Sequence, residues 1–159
     1  MTEPANTCCC SSLSDLAAVP MGGYALDERV FATIENVRDH GGDAWWLYLS
    51  RCRVCGQDWM IAQEERIFDE HFLRRLDADE ATRILTENEW PSEFLTYEQV
   101  LETGHALGVR PCVFLDQTDG SLVWTVEDLK KTRPDISAQR IAQLLGVPVG
   151  QAERILAKT

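Results

Sequence analysis

The chain has 159 residues, with 26 acidic side chains against 15 basic ones and a formal net charge of −11. An acidic surface repels polyanions, which argues against nonspecific binding to nucleic acid or docking on anionic lipid. With 45% hydrophobic and 26% charged residues, the composition is that of a globular protein long enough to bury a core.

The first residues lack a basic stretch leading into an apolar run, and no segment reaches the ~18 apolar residues that span a bilayer. A cytoplasmic protein is expected. In that reducing compartment, cysteines grouped as Cys8-Cys9-Cys10 and Cys52-x-x-Cys55 point to a metal site before a disulfide framework.

Residues 1–23 are small and polar, and Pro20 and Gly22-Gly23 break regular structure. Between Asp27 and Arg38, Val30, Ile34 and Val37 fall at helical spacing, which predicts a short amphipathic helix ended at His40-Gly41-Gly42-Asp43. Trp45 to Leu49 reads as a strand and Trp59 to Ala62 as its antiparallel partner, with the Cys-x-x-Cys in the turn between them. Residues 64–108 read as mainly helical, through stripes containing Phe68, Phe72, Leu73, Leu76, Ile84 and Leu85. Asp77 or Asp79 can cap the helix around Ala81 to Thr86. Trp90-Pro91 forces a break. Thr96 and Gln99 form the capping box of a further helix, which Gly104 or Gly108 ends. Val113-Phe114-Leu115 and Leu122-Val123-Trp124 flank Asp119-Gly120 and read as a second β-hairpin. A helical tail runs from Lys130 to Thr159. The expected fold is α+β: a zinc-pinned β-hairpin, a helical middle, a second β-hairpin and a C-terminal helical hairpin. It divides into a zinc-containing domain at 1–126 and a helix-turn-helix-like tail at 127–159.

Cys52-Arg-Val-Cys55-Gly56 has the spacing of a zinc knuckle. Two thiolates three positions apart can converge on one ion, and the glycine lets the backbone turn so that amides face the sulfurs. Tetrahedral zinc needs two more ligands, and the cysteine triplet supplies them. Neighbouring side chains diverge in extended backbone, so Cys8 and Cys10 make a better pair than Cys8 and Cys9. A Cys8/Cys10/Cys52/Cys55 site would tie the N-terminal arm to the first hairpin and leave no open position for catalysis. His40, His71 or His105 could replace one thiolate. The bland alternative is a set of ordinary thiols. A thioredoxin-like pair fits less well, because the motif lies between strands instead of opening a helix. Cys112, between Pro111 and Val113, reads as a small packed apolar residue.

Twelve of the acidic residues lie between Glu64 and Glu102, opposed there by only Arg66, Arg74, Arg75 and Arg83, for a local net of −8. Within this run, Glu87, Glu89 and Glu93 surround Trp90, Phe94 and Tyr97. Carboxylates that steer an encounter, around aromatic anchors that hold it, suit a surface for a basic protein partner. The alternative is a solvated helical face with its aromatics in the core.

Ile136 to Leu156 resembles a helix-turn-helix, with Ala142 at the crossing, Gly146 at the turn, and Val147, Ala152 and Ile155 facing the first helix. Residues 127–159 carry six basic against four acidic groups. The second helix offers only Gln151, Arg154 and Lys158 as long polar side chains, few for a recognition helix.

No nucleophile–base motif, phosphate-cradling loop or open metal triad is evident, so no enzymatic activity is expected. The segment Tyr48-Leu-Ser-Arg-Cys-Arg-Val-Cys-Gly-Gln-Asp-Trp59 resembles small bacterial toxin-immunity proteins in which a Cys-x-x-Cys-Gly-Gln-x-Trp hairpin recurs. The resemblance spans residues ~45–100 and implies an inhibitor of a cognate toxin, often a nuclease. It transfers no binding residue. The other reading is a zinc-containing transcriptional or nucleic-acid adaptor that uses the C-terminal tail.

Overall fold

The computed structural model describes residues 7–22 and 25–159. Gly23, half of the expected glycine break, lies outside them. The chain divides into two compact units, Met1–Gln63 with Glu70–Leu95, and Glu64–Asp69 with Thr96–Thr159.

The first unit is built on one five-stranded sheet. Its strands are β1 (Leu16–Pro20), β2 (Ile34–Asp39), β3 (Leu47–Cys52), β4 (Asp58–Glu64) and β5 (Glu70–Leu76), in the order β1-β5-β4-β3-β2. The expected first hairpin is present as β3 and β4, in the register Leu47↔Ala62, Leu49↔Met60 and Arg51↔Asp58. Side chains alternate across this sheet. Val19, Ile34, Cys52, Trp59, Ile61 and Leu73 gather on one cluster with Cys10, and Val30 of helix α1 (Leu26–Phe31) packs into it.

Four elements differ from the sequence reading. The first is β1 itself, which runs to Pro20 where the sequence predicts a break, because an edge strand tolerates a proline. The helix expected to Arg38 stops at Phe31, and Ile34–Asp39 pairs with β3 as an edge strand. That strand has a register shift between Asn36 and Arg38 and buries only Ile34, so it lacks the alternation that marks a half-buried strand. The segment around Phe72, Leu73 and Leu76 is β5, not helix. Its buried residues fall as an adjacent pair, Phe72 and Leu73, followed three positions on by Leu76, which imitates a helical stripe. The second β-hairpin is absent. Asp119 caps helix α4 (Gly120–Thr132), accepting from the Ser121 amide at 2.9 Å. Asp-Gly serves a helix start as readily as a turn, and the buried residues Leu122, Thr125, Val126 and Leu129 have helical spacing.

Helix α2 (Ala78–Glu87) completes the first unit. Asp77 and Glu80 form its capping box, and Asn88 closes it in the left-handed conformation.

The second unit contains α3 (Tyr97–Ala106), α4, α5 (Ala138–Leu145) and α6 (Val149–Leu156). Thr96 and Gln99 form the expected capping box of α3. Gly146, at φ +68°, makes the turn between α5 and α6, a backbone angle that glycine adopts without cost. Ala142, Ala152 and Ile155 are buried, so the tail has the helical-hairpin shape read from sequence.

Glu64 is fully buried in this unit. Its carboxylate accepts from the amides of Arg66 (2.8 Å), Ile67 (2.9 Å) and Phe68 (2.6 Å) and from the Tyr97 hydroxyl. A buried carboxylate persists only when hydrogen-bonded in this way. It shapes the 64–69 turn and joins it to α3. Burial and the Glu64 charge push the Tyr97 hydroxyl far above its ordinary pKa.

Candidate metal centre

The hairpin turn after β3 brings two thiols together. Gly56 has φ +77°, which lets its amide donate to the Cys52 carbonyl at 2.9 Å. The Cys52 amide in turn donates to the Gln57 carbonyl at 2.9 Å. Cys52 is buried and Cys55 exposed.

The N-terminal arm supplies the other pair. A 3₁₀ turn at Cys10–Ser12 is closed by the Ser12 hydroxyl, which donates to the Cys9 carbonyl at 2.7 Å. The Sγ atoms of Cys8, Cys10, Cys52 and Cys55 lie within 4.8 Å of one another. Around a tetrahedral ion with bonds of ~2.3 Å, sulfurs stand ~3.8 Å apart, so a small closure seats them all. These four residues could hold a metal ion. Cys9 is half-buried and packs against the same core without joining the four thiols.

Polar groups around the sulfurs favour thiolates at some positions and oppose them at others. Trp59 Nε1–H donates to Cys10 Sγ at 3.4 Å, and the Thr33 hydroxyl lies 3.4 Å from Cys52 Sγ. Burial raises the pKa of Cys52, but hydrogen bonds from Thr33 and from the amides of Cys55 and Val54 outweigh it, and the thiol is held down to about 6. Burial pushes Cys10 up to about 12, against the Trp59 hydrogen bond. Burial also raises Cys55, while the Gln57 amide opposes it. Bringing four such groups together as thiolates requires a cation to offset their charge.

Arg75 of β5 fastens the arm from the other side. Its guanidinium donates to the carbonyls of Cys10 and Leu13, each at 2.8 Å, to Gln57 Oε1 at 3.1 Å and to Asp15 at 3.0 Å. It also stacks over Trp59, 4.5 Å from the ring centroid. Trp59 stands in the Cys-x-x-Cys-Gly-Gln-x-Trp stretch and could be suspected from it. Thr33 and Arg75 carry no sequence signal, because only the sheet brings them to the thiols.

The three histidines lie elsewhere. His40 Nδ1 sits by the Gly41 carbonyl, the His71 ring packs on Phe31, and His105 Nε2 meets the Leu144 carbonyl at 2.7 Å. Cys112 is exposed rather than packed, although its amide donates to the Ile67 carbonyl at 2.6 Å.

The acidic–aromatic stretch divides by side-chain type. Glu87, Glu89 and Glu93 are exposed, whereas Trp90, Phe94 and Tyr97 are buried. Within the first unit, Trp46 Nε1–H donates to the Phe94 carbonyl at 2.8 Å. The aromatic rings are therefore core and present no anchoring face. Part of the negative charge is also matched locally: Arg74 pairs with Glu80 at 2.6 Å and Glu93 at 3.0 Å, and Arg140 pairs with Glu98 and Glu102.

Comparison with protein families, curated proteins and solved structures gives no match. Among the described residues, no helix is long and apolar enough to cross a membrane.

Proposed function

We propose that this chain is a zinc-stabilised acidic binding protein that captures a basic protein partner, in the manner of a toxin-immunity protein. The observation that carries the zinc reading is the approach of four cysteine sulfurs to within 4.8 Å of one another. An all-thiolate donor set suits zinc, and four protein ligands close the coordination sphere, so the ion is structural and takes no substrate. Zinc would tie the arm to the hairpin, and its binding energy would add to folding.

The formal charge of −11, with Glu87, Glu89 and Glu93 exposed, supports a basic partner. Because Trp90, Phe94 and Tyr97 are buried, the encounter rests on charge, and association is expected to slow steeply with salt. The nucleic-acid alternative gains nothing from the tail. Arg133 and Arg140 are engaged by Glu98, Gln151 is buried against the Gln117 carbonyl, and Arg154 bonds the Gln117 side chain.

The test is metal analysis of the purified full chain, followed by association with the product of the gene immediately upstream. One zinc per chain and a basic partner are expected, with binding weakened at least tenfold by Glu87→Lys with Glu89→Lys. Absence of bound metal refutes the zinc reading. An upstream product that is acidic, or that does not associate, refutes the partner reading.

A further inference from the structure

We propose that Cys55 and Cys8 form an oxidation site within the metal centre, where a peroxide replaces the metal link by a disulfide. The inference rests on the zinc reading above. The four thiols differ in access. Cys10 and Cys52 are buried, whereas Cys55 is exposed and Cys8 half-buried. A small oxidant arriving from solvent therefore meets Cys55 first.

The second sulfur must then move onto Cys55, and the surroundings select which one can. Cys52 ends β3, beside the Thr33 hydroxyl. Cys10 opens the 3₁₀ turn under the Trp59 indole, and Arg75 holds its carbonyl. Cys8 lies outside any helix or strand, and its sulfur is already within 4.8 Å of Cys55. It is the thiol with the fewest constraints on approach. A disulfide needs the sulfurs ~2.05 Å apart, so a local shift of the arm completes the bond.

The chemistry balances in two steps. The Cys55 thiolate attacks hydrogen peroxide, forming an S–O bond and breaking the O–O bond, and the departing hydroxide takes up a proton as water. The Cys8 thiolate then attacks the sulfenic sulfur, forming S–S and breaking S–O, and a second protonation yields the second water. The two sulfurs lose two electrons and the peroxide gains them. With two thiolates gone, Zn²⁺ leaves, while the arm stays tied to the hairpin through the new bond. A dithiol reductant with zinc reverses the exchange.

The test uses the full zinc-loaded chain, with metal content measured before any oxidant is added. Hydrogen peroxide is then applied, zinc release is followed with a chromogenic chelator, and the non-reduced protein is mapped by mass spectrometry. Stoichiometric release with a Cys8–Cys55 crosslink is expected, unchanged in Cys9→Ser and Cys112→Ser. Cys8→His retains a zinc ligand but forms no crosslink, so its Cys55 is expected to be trapped as a sulfenic acid by a cyclic diketone. Zinc retained in excess peroxide, a Cys52–Cys55 crosslink, or loss of the crosslink in Cys9→Ser overturns the proposal and leaves the zinc reading standing. A chain that purifies without metal overturns the zinc reading and this inference with it.

Discussion

Replacing Arg75 by methionine tests whether the guanidinium or the thiols alone hold the N-terminal arm. The side chain makes two charge-assisted hydrogen bonds to the Cys10 and Leu13 carbonyls, and it is only 26% exposed. Hydrogen bonds of this kind contribute roughly 1.5 kcal/mol each at the lower end of their range, and stacking on an aromatic ring adds about 0.5–1 kcal/mol. The pair with Asp15, whose side chain is 93% exposed, contributes little. Methionine restores some packing on Trp59, so a net loss of roughly 2–3 kcal/mol is expected, corresponding to about 30- to 150-fold. On the zinc reading this loss falls on the metal, because an undocked arm must be ordered again before Cys8 and Cys10 can bind. Zinc affinity measured by chelator competition, with circular dichroism as the control for folding, reads it directly. Asp15→Ala should change affinity less than threefold. A correctly folded Arg75→Met protein whose affinity also stays within threefold of the native value would show that the arm is positioned without the guanidinium.

Burial, reinforced by the Asp39 charge, raises Tyr48 from its ordinary value near 10 to about 12. The folded state thus keeps a proton that the unfolded chain releases, so this stability is whole below about pH 10 and lost between about pH 10 and 12. Its ceiling is roughly 3 kcal/mol. Denaturant titrations across that range should show a shallower decline in Tyr48→Phe than in the native chain, and parallel curves would exclude the linkage. In α3, a Cβ at Gly104 would sit 2.4 Å from Phe68 Cε2. Gly104→Ala should destabilise the second unit by about 1–3 kcal/mol, and adding Phe68→Leu should recover much of that loss if the ring is the obstacle. Equal stabilities of the single and double variants would locate the cost elsewhere.

The four-cysteine cluster was the most legible part of the chain. Cys-x-x-Cys-Gly encodes its own turn, and Cys8 and Cys10 are the pair expected from the triplet, although Cys9 (φ −96°, ψ 2°) and the 3₁₀ turn that Cys10 opens, not an extended backbone, set Cys9 apart. The capping box at Thr96 was equally local and equally readable, and so was a cap at Asp77 or Asp79, of which the structure uses Asp77 with Glu80. What escaped depends on partners distant in sequence. β2 is a strand because β3 lies beside it, and its own residues are nearly all exposed. β5 is a strand because it pairs with β1, although its apolar residues mimic a helix. Asp119-Gly120 admits two local meanings, and the helical spacing beyond it decides between them. The acidic stretch announced its charge correctly, but charge pattern does not reveal whether Trp90, Phe94 and Tyr97 face outward or inward.

The order of strands sets a timetable for synthesis. β1 is made first, yet its partner is β5, with Leu16 opposite Arg74 and Pro20 opposite Glu70. Until the chain has grown through that strand, β1 has no ladder to join, and Arg75 does not yet exist to hold the arm. The fourth thiol is complete at Cys55, well before β5 begins. On the zinc reading, the ion can close the intervening loop early and hold the arm near the hairpin, which lowers the entropy still to be lost when β1 docks. The nascent chain would then carry its first long-range connection through sulfur, with backbone pairing to follow.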